Sequence, residues 1–316
     1  MTSWKPTKVL IADQIVGLPE SIASQRPDLH LTVRAPSEIS AADLDAADVF
    51  VGFRHPPVSG WGRIRWIHCI AAGVDGLILR TPLPDGILLT KSGEDFGPAI
   101  GEWCIARALA VTQHLAQLAE DQRNRRWGRH DITRDPVLLR GQAVLVLGTG
   151  QVGRGVGLAF RAMGCRVVGL SRSGAPAAGF DRVRPATRFT EEVREADWLV
   201  LAAPLTRETI GFLNRDRLAD CEGVYLMNVG RGALLDERAL VQALDQGWVR
   251  GAALDVFERE PLPADSELWT HPKITISPHI SGPSTLGATT AGFLESLAAV
   301  ERGERPRLAV DPELGY

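Results

Sequence analysis

The stretch AVLVLGTGQVG at residues 143–153 decides the fold. A run of apolar residues, 143–147, ends in a turn carrying Gly148, Gly150 and Gly153, and a helical pattern starts at Gln151 and Val152 and runs to residue 163. A buried strand entering a glycine turn and then a helix is the opening of a βαβ unit. Each glycine has a task there. Gly148 permits the tight turn, Gly150 lets the backbone approach a pyrophosphate, and Gly153 lets the helix pack close to the strand. The first N–H groups of the helix and its positive dipole end suit phosphate. The string GxGxxG alone is weak, but the strand before it and the helix after it predict dinucleotide binding, against the plainer reading of a tight turn without ligand. Gly155 and Gly157 lie inside the same helix, where each costs ~1 kcal/mol against alanine. Close helix–sheet packing would account for them.

Outward from this unit the same alternation continues. Strand patterns at 167–170, 198–203, 224–229, 252–256 and 274–277 are separated by helical ones at 191–196, 214–220 and 236–246. The last of these helices is expected to be capped by Asp236 and stopped by Gly247. Before the glycine turn, strands are predicted at 8–13, 29–34, 48–53, 64–71 and 87–91, with helices at 19–25 and 41–47, the second capped by Ser40. Strands alternating with short helices imply parallel sheets covered on both faces. A long helix at 98–120 reads as a connector or subunit contact, and 122–134 as a basic loop with five arginines. The expected fold class is α/β, with two doubly wound parallel-sheet domains.

Composition excludes several functions. The 316 residues are 45% hydrophobic and 23% charged, an ordinary globular balance. Lys plus Arg number 35 and Asp plus Glu 38, a net charge of −3, so no basic field points to nucleic acid. The four cysteines, Cys69, Cys104, Cys165 and Cys221, form no CxxC pair, so no metal site is expected, and reduced thiols in the cytoplasm are. The N-terminus lacks the apolar core of a signal peptide. No stretch approaches the ~20 apolar residues of a membrane span.

The turn after the strand at 167–170 bears on cofactor choice. An NAD-selective site places an acid there for the ribose 2′-OH. This chain has Ser171, Arg172 and Ser173, with no acid until Asp181. A guanidinium and two hydroxyls suit a 2′-phosphate, so NADPH is expected over NADH. Three further segments sit at predicted strand ends, where open α/β sheets bind ligands. They are NVGRG at 228–232, LDVFEREP at 254–261 and SPHISG at 277–282. Arg231, flanked by glycines, offers a fork of donors for a carboxylate and a neighbouring carbonyl.

These motifs identify a resemblance. VLGTGQVG, NVGRGALLDE, GAALDVFEREPLP, ITISPHI and AAGVD at 71–75 resemble, in order and spacing, the D-isomer-specific 2-hydroxyacid dehydrogenase family. The Ser-Arg-Ser turn, the EREPLP run and the tail VDPELGY at 310–316 look most like its glyoxylate/hydroxypyruvate reductase A branch. The resemblance implies Arg231, Glu260 and His279 as the catalytic set, with Glu260 chosen over Glu258 because it directly precedes Pro261. In that set Glu260 would favour the charged imidazole of His279 and orient it, and His279 would donate the proton. It implies substrate-carboxylate binding by the loop at Ala72, Gly73 and Val74. Asp255 would lie near the nicotinamide carboxamide, and Ala203 and Pro204 in a loop over the cofactor. Arg54 is read as a second carboxylate ligand or a surface arginine, and Trp66 and Trp127 as pocket or core residues. After His279 the family usually has small residues and then threonine, whereas this chain has Ser281-Gly282-Pro283-Ser284.

The implied organisation is a flavodoxin-like substrate domain, 1–99 plus 284–316, interrupted by a Rossmann cofactor domain, 100–283, with the active site in the cleft. The long helix implies a homodimer. The implied activity is NADPH-dependent reduction of small 2-oxo acids, glyoxylate and hydroxypyruvate first, to D-2-hydroxy acids. Bulkier 2-oxo acids, and a nucleotide-sensing, corepressor-like interaction protein, are the alternatives.

Overall fold

In the computed structural model every residue is described except 1, 2, 80, 82, 93–95, 134–136, 313 and 316. Glu313, Tyr316 and Arg134, parts of the tail and basic loop read above, therefore lie outside the described residues. The chain divides into two units, Met1–Glu94 with Ser284–Tyr316, and Asp95–Pro283.

The first unit opens with β1 (Lys8–Ala12), α1 (Leu18–Gln25), β2 (His30–Arg34), α2 (Ala41–Ala46), β3 (Val49–Gly52), β4 (Trp66–Cys69), α3 (Asp75–Ile78) and β5 (Leu88–Lys91). The strands form one sheet in the order β2-β1-β3-β4-β5, every pair parallel. This is the flavodoxin-like order, reversing between β1 and β3. β3 and β4 are buried throughout, which is why their sequences are apolar runs rather than alternations. Ser40 caps α2 in a capping box with Asp43.

The second unit carries α4 (Gly97–Thr112), α5 (Leu115–Arg123), α6 (Arg129–Thr133), β6 (Ala143–Leu147), α7 (Gln151–Ala162), β7 (Arg166–Ser171), β8 (Arg182–Pro185), α8 (Phe189–Val193), β9 (Trp198–Leu201), α9 (Arg215–Ala219), β10 (Val224–Asn228), α10 (Glu237–Asp245), β11 (Val249–Leu254) and β12 (Ile274–Ile276). The sheet order is β12-β11-β10-β9-β6-β7-β8, again all parallel. The order reverses between β6 and β9, and the glycine turn leaves β6 at that switch point, the Rossmann arrangement. Asp236 caps α10 by accepting from the Ala239 N–H at 2.9 Å, and Gly247 at φ 76° follows its end. The first unit closes with α11 (Leu286–Arg302), whose Phe293 stacks on Trp66 at 5.2 Å, and Val310 then donates its N–H to Leu89 O beside edge strand β5. Trp66 is therefore core, while Trp127 is 91% exposed.

Three expectations need correction. The helix read at 98–120 is two helices, because His114 takes a left-handed φ of 53° and breaks the ladder. The basic loop is partly helical, with Arg126 bridging Asp121 at 2.8 Å and Asp131 at 2.7 Å. Gly155 answers to a helix rather than to the sheet. A Cβ there would lie 2.2 Å from the Cα of Gly97, so α4 and α7 touch backbone to backbone. Gly157 packs on a loop, with its Cβ position 2.4 Å from Gly179 O.

All four cysteines are buried, and among the described residues none is joined in a disulfide. Among the described residues no helix is long and apolar enough to cross a membrane, and no group of three His, Cys, Asp or Glu side chains is placed to hold a metal.

Candidate active site

The glycine turn has the shape its sequence requires. Gly148 sits at φ 103°, and a Cβ on it would meet Ala202 O at 2.6 Å, so the turn lies against the strand end that leads into Ala203. Gly153 faces Gly148 O at 1.9 Å from its Cβ position. Gly150 is different. A Cβ on it would have no heavy atom within 4 Å, and no side chain caps α7 after it. Two of the glycines are thus demanded by the protein's own packing, and the third borders open space beside uncapped N–H groups of Gln151 and Val152. An anionic pyrophosphate fits that position. The loop after β9, Ala203 and Pro204 included, is braced by Thr209, whose hydroxyl donates to Pro204 O at 2.7 Å and accepts from the Thr206 N–H at 2.8 Å.

At the carboxyl end of β7, Ser171 Oγ accepts the N–H of Gly174 at 3.0 Å and Ser173 Oγ that of Ala175 at 3.2 Å. These bonds close a small turn that presents Arg172 as an exposed side chain. Asp181 cannot serve as a ribose acid here. Its carboxylate accepts the Val167 N–H at 2.7 Å, near the opposite end of β7, and pairs with Arg161 at 3.1 Å.

Arg231, Glu260 and His279 come from the carboxyl ends of β10, β11 and β12. Gly230 and Gly232 explain how Arg231 is held. A Cβ on Gly232 would lie 1.8 Å from the carbonyl carbon of Phe257, and one on Gly230 would lie 3.0 Å from Ala203 O. The arginine loop is therefore pressed between the loop of the acid and the loop at Ala203. Buried Asn228 ties it from below, donating to Arg231 O at 3.0 Å and accepting from the Gly230 N–H at 3.2 Å. Glu260 Oε2 lies 2.8 Å from His279 Nδ1, and its Oε1 accepts the Phe257 N–H at 3.1 Å. Burial alone would raise the Glu260 carboxyl. The His279 hydrogen bond, the Phe257 N–H and the charges of His279 and Arg231 outweigh it and hold the carboxyl below the usual carboxylate range. Among the described residues the carboxylate that meets His279 is that of Glu260, while the backbone N–H of Glu258 donates to Glu237 at 2.7 Å. Burial, with Glu258, Asp236 and Glu260 nearby, pushes Glu237 upward despite that bond.

Asp255 has a different setting from the one expected. It is fully buried, and its oxygens accept from Ser277 Oγ at 2.5 Å, Ile280 N–H at 3.0 Å and Ser281 N–H at 2.8 Å. The carboxylate is spent on the loop that carries His279, which leaves little of it for a nicotinamide carboxamide. Thr209, Asn228, Glu237 and Ser277 all escaped sequence reading. Each acts through a partner distant in the chain or through backbone atoms, and neither leaves a spacing pattern.

In the first unit the loop after β4 carries Ala72, Gly73 and Val74. Val74 is buried, Ala72 and Gly73 are partly exposed, and Cys69 Sγ touches Gly73 O at 3.4 Å. The loop after β3 is knitted to it, with His55 N–H donating to Gly76 O at 3.0 Å. Arg54 lies there as an exposed side chain, its Cγ 3.5 Å from the Cβ position of Gly76 and its guanidinium 5.2 Å from the Phe53 ring.

Comparison with known proteins places this arrangement. The pattern of the family described as D-isomer specific 2-hydroxyacid dehydrogenase, NAD binding domain, matches residues 105–281, more than half of the chain. An uncharacterized protein of Streptomyces coelicolor is 37% identical over 279 residues, 86% of this chain and 97% of that one. Glyoxylate/hydroxypyruvate reductase A of Serratia proteamaculans is 32% identical over 270 residues, 83% of this chain and 85% of its own. Among solved structures, an NADPH-dependent glyoxylate/hydroxypyruvate reductase from Sinorhizobium meliloti, in complex with NADP and sulfate, aligns with a TM-score of 0.85 and 25% identity over 98% of this chain and 100% of that chain. The chain belongs to the D-isomer-specific 2-hydroxyacid dehydrogenase family and is an NAD(P)-dependent enzyme of that family.

Proposed function

We propose that this enzyme reduces small 2-oxo acids, with glyoxylate and hydroxypyruvate as its first substrates, to D-2-hydroxy acids at the expense of NADPH. The observation that carries the reading is the His279–Glu260 pair at 2.8 Å, with Arg231 flanked by Gly230 and by Gly232, which admits no side chain. The Serratia and Sinorhizobium relatives support the substrate class.

Bound NADPH supplies the hydride that reaches the substrate C2. Residues of this chain do the rest. Arg231 binds the substrate carboxylate and polarises the adjacent carbonyl, so its charge meets the oxyanion as it develops. Glu260 occupies Nδ1 of His279, which fixes the ring and leaves Nε2 to give its proton to that oxygen. The amides of Ala72, Gly73 and Val74 are assigned to the substrate carboxylate, and Arg54 to a polar group on a larger substrate. Ser171, Arg172 and Ser173 are assigned to the 2′-phosphate, Gly148, Gly150, Gln151, Val152 and Gly153 to the pyrophosphate, and Ala203 and Pro204 to the cover of the cofactor. Residues 100–283 serve as the cofactor domain, and 1–99 with 284–316 as the substrate domain. We also read the enzyme as a cytoplasmic homodimer. Buried thiols outside any disulfide support the compartment, and exposed Leu115, Leu118 and Trp127 support the contact.

The test is a panel of 2-oxo acids assayed with NADPH and NADH in parallel, on the wild type and on Arg172→Ala. The reading expects turnover of glyoxylate or hydroxypyruvate, faster with NADPH, and a collapse of that preference in the variant. Tight NADPH binding with no turnover across the panel would replace it with a nucleotide-sensing interaction protein. An unchanged cofactor ratio in Arg172→Ala would remove the assignment of the 2′-phosphate site.

A further inference from the structure

The loop that carries His279 is tied to the interior by a continuous line of hydrogen bonds. It starts on α4, where Trp103 Nε1 donates to Ser277 Oγ at 3.1 Å. Ser277 Oγ donates in turn to Asp255 Oδ1 at 2.5 Å. The same carboxylate accepts the N–H groups of Ile280 and Ser281, the two residues that follow His279. The N–H of His279 itself donates to the backbone carbonyl of Asp255 at 2.8 Å. The direction of the line is fixed by chemistry, because an indole N–H can only donate and both carboxylate oxygens already face N–H donors. All three side chains are buried, Trp103 at 7%, Ser277 at 4% and Asp255 at 0% exposure.

His279 sits at φ 54°, a left-handed conformation that residues with a side chain rarely adopt. Such a backbone is strained and persists only where its surroundings over-determine it. Here the over-determination is visible. Asp255 holds the residues after the histidine, the Asp255 carbonyl holds the histidine, and Ser277 holds the carboxylate. The ring of His279 is half exposed and, among the described residues, is held by a hydrogen bond to Glu260. The backbone below it therefore decides where Nε2 points.

We propose that Trp103, Ser277 and Asp255 form a buried brace that positions His279, with the Trp103 indole as its anchor on α4. None of the three side chains needs to touch substrate, so they are positioning residues. The proposal rests on the reading of His279 as the proton donor. It gives Asp255 a task within the protein that the sequence resemblance does not.

The test uses the full chain with Trp103→Phe, which keeps the ring and loses the N–H, and Ser277→Ala, with Ser277→Thr as the variant that restores a hydroxyl. Four quantities are read: the melting temperature, the NADPH dissociation constant from cofactor fluorescence, kcat and KM, and the His279 ring resonances in cofactor-free protein, assigned by their loss in His279→Asn. The brace predicts displaced or broadened ring resonances in both deletion variants. It predicts a kcat lower by about 10–100-fold, as expected for loss of alignment. KM and the NADPH dissociation constant should stay within about twofold, since only the transition state loses an interaction. Ser277→Thr should recover most of the lost kcat and the native resonances. Unchanged resonances and kcat in Trp103→Phe and Ser277→Ala would overturn the brace, whatever the melting temperatures. A fall in kcat matched by lost NADPH affinity would overturn it too, and return Asp255 to the cofactor. Failure of the underlying reading is separable: full turnover in His279→Asn, with the ring displaced in both deletion variants, would remove the proton-donor role and leave the brace standing.

Discussion

A single methyl group on Gly232 should disable the enzyme without unfolding it. Its Cβ would lie 1.8 Å from the carbonyl carbon of Phe257, 2.1 Å from its oxygen and 2.2 Å from the Glu258 nitrogen. These are backbone atoms, so no side chain can swing away. Ordinary contact begins at 3.4 Å, so the Arg231 loop and the loop leading to Glu260 must part by about 1.6 Å. Overpacking of this kind costs typically ~1–3 kcal/mol of stability, which a domain of this size can absorb. The catalytic cost is larger. A misplacement of ~1 Å between reacting groups lowers rates about 100-fold, so Gly232→Ala should lose at least that in kcat/KM. The NADPH dissociation constant should barely change, because the glycine turn and the Ser171 turn lie on other strand ends. Gly230→Ala is the control. Its nearest obstacle is the Leu234 side chain at 2.8 Å, which can shift, so its loss should be milder. The assay is steady-state reduction of glyoxylate at saturating NADPH, with melting curves for both proteins. A Gly232→Ala enzyme that keeps kcat/KM within about threefold while folded would show that the two loops need not touch.

Three other outcomes follow from the same geometry. Gly150→Ala should melt like the wild type, because open space receives its Cβ, yet bind NADPH at least about tenfold more weakly; unchanged affinity would show that the pyrophosphate does not pass there. Glu260→Gln should lower kcat by about 10–100-fold and Glu258→Gln by little, and comparable losses would undo the assignment of the acid. Buried His68 shares a hydrogen bond between Nδ1 and Thr90 Oγ1 at 2.8 Å, while Nε2 has no partner among the described residues, and burial pushes its pKa down to about 3. The unfolded chain takes up that proton near pH 6.5, so the stability His68 contributes is present above that pH and is lost as pH falls toward 3. The loss should reach about 2 kcal/mol at pH 5, and denaturant titrations of His68→Gln should show a flatter dependence over that window; parallel curves would count against it.

Much of the fold was legible because its signals are local. The glycine turn, the apolar runs of β3, β6 and β9, the Ser40 and Asp236 caps and the Gly247 stop are each read from a few neighbouring residues. Elements without such a signal were missed. Strand β8, RVRP, is a charged edge strand ending in proline, which resembles a loop until β7 is seen beside it. Strand β11 starts three residues earlier than expected because Gly251 reads as a breaker. In the sheet, the Tyr225 ring fills the space its Cβ would take. The candidate site divides the same way. Arg231, Glu260 and His279 stand in recognisable strings, while Asn228, Thr209 and the line from Trp103 to Asp255 are visible only once the chain is folded. The glycines gained most from the structure. Their positions were plain in the sequence, but which faces a ligand and which faces a neighbouring backbone depends on contacts far along the chain.

If His279 gives the proton, removing its imidazole must slow the reduction itself. The direct measurement is the single-turnover rate of NADPH oxidation by glyoxylate in His279→Asn, a substitution chosen because asparagine tolerates the left-handed backbone at this position. The expected rate is lower by about 100-fold or more, with NADPH bound as tightly as by the wild type. A His279→Asn enzyme that oxidises NADPH at the wild-type rate would contradict it.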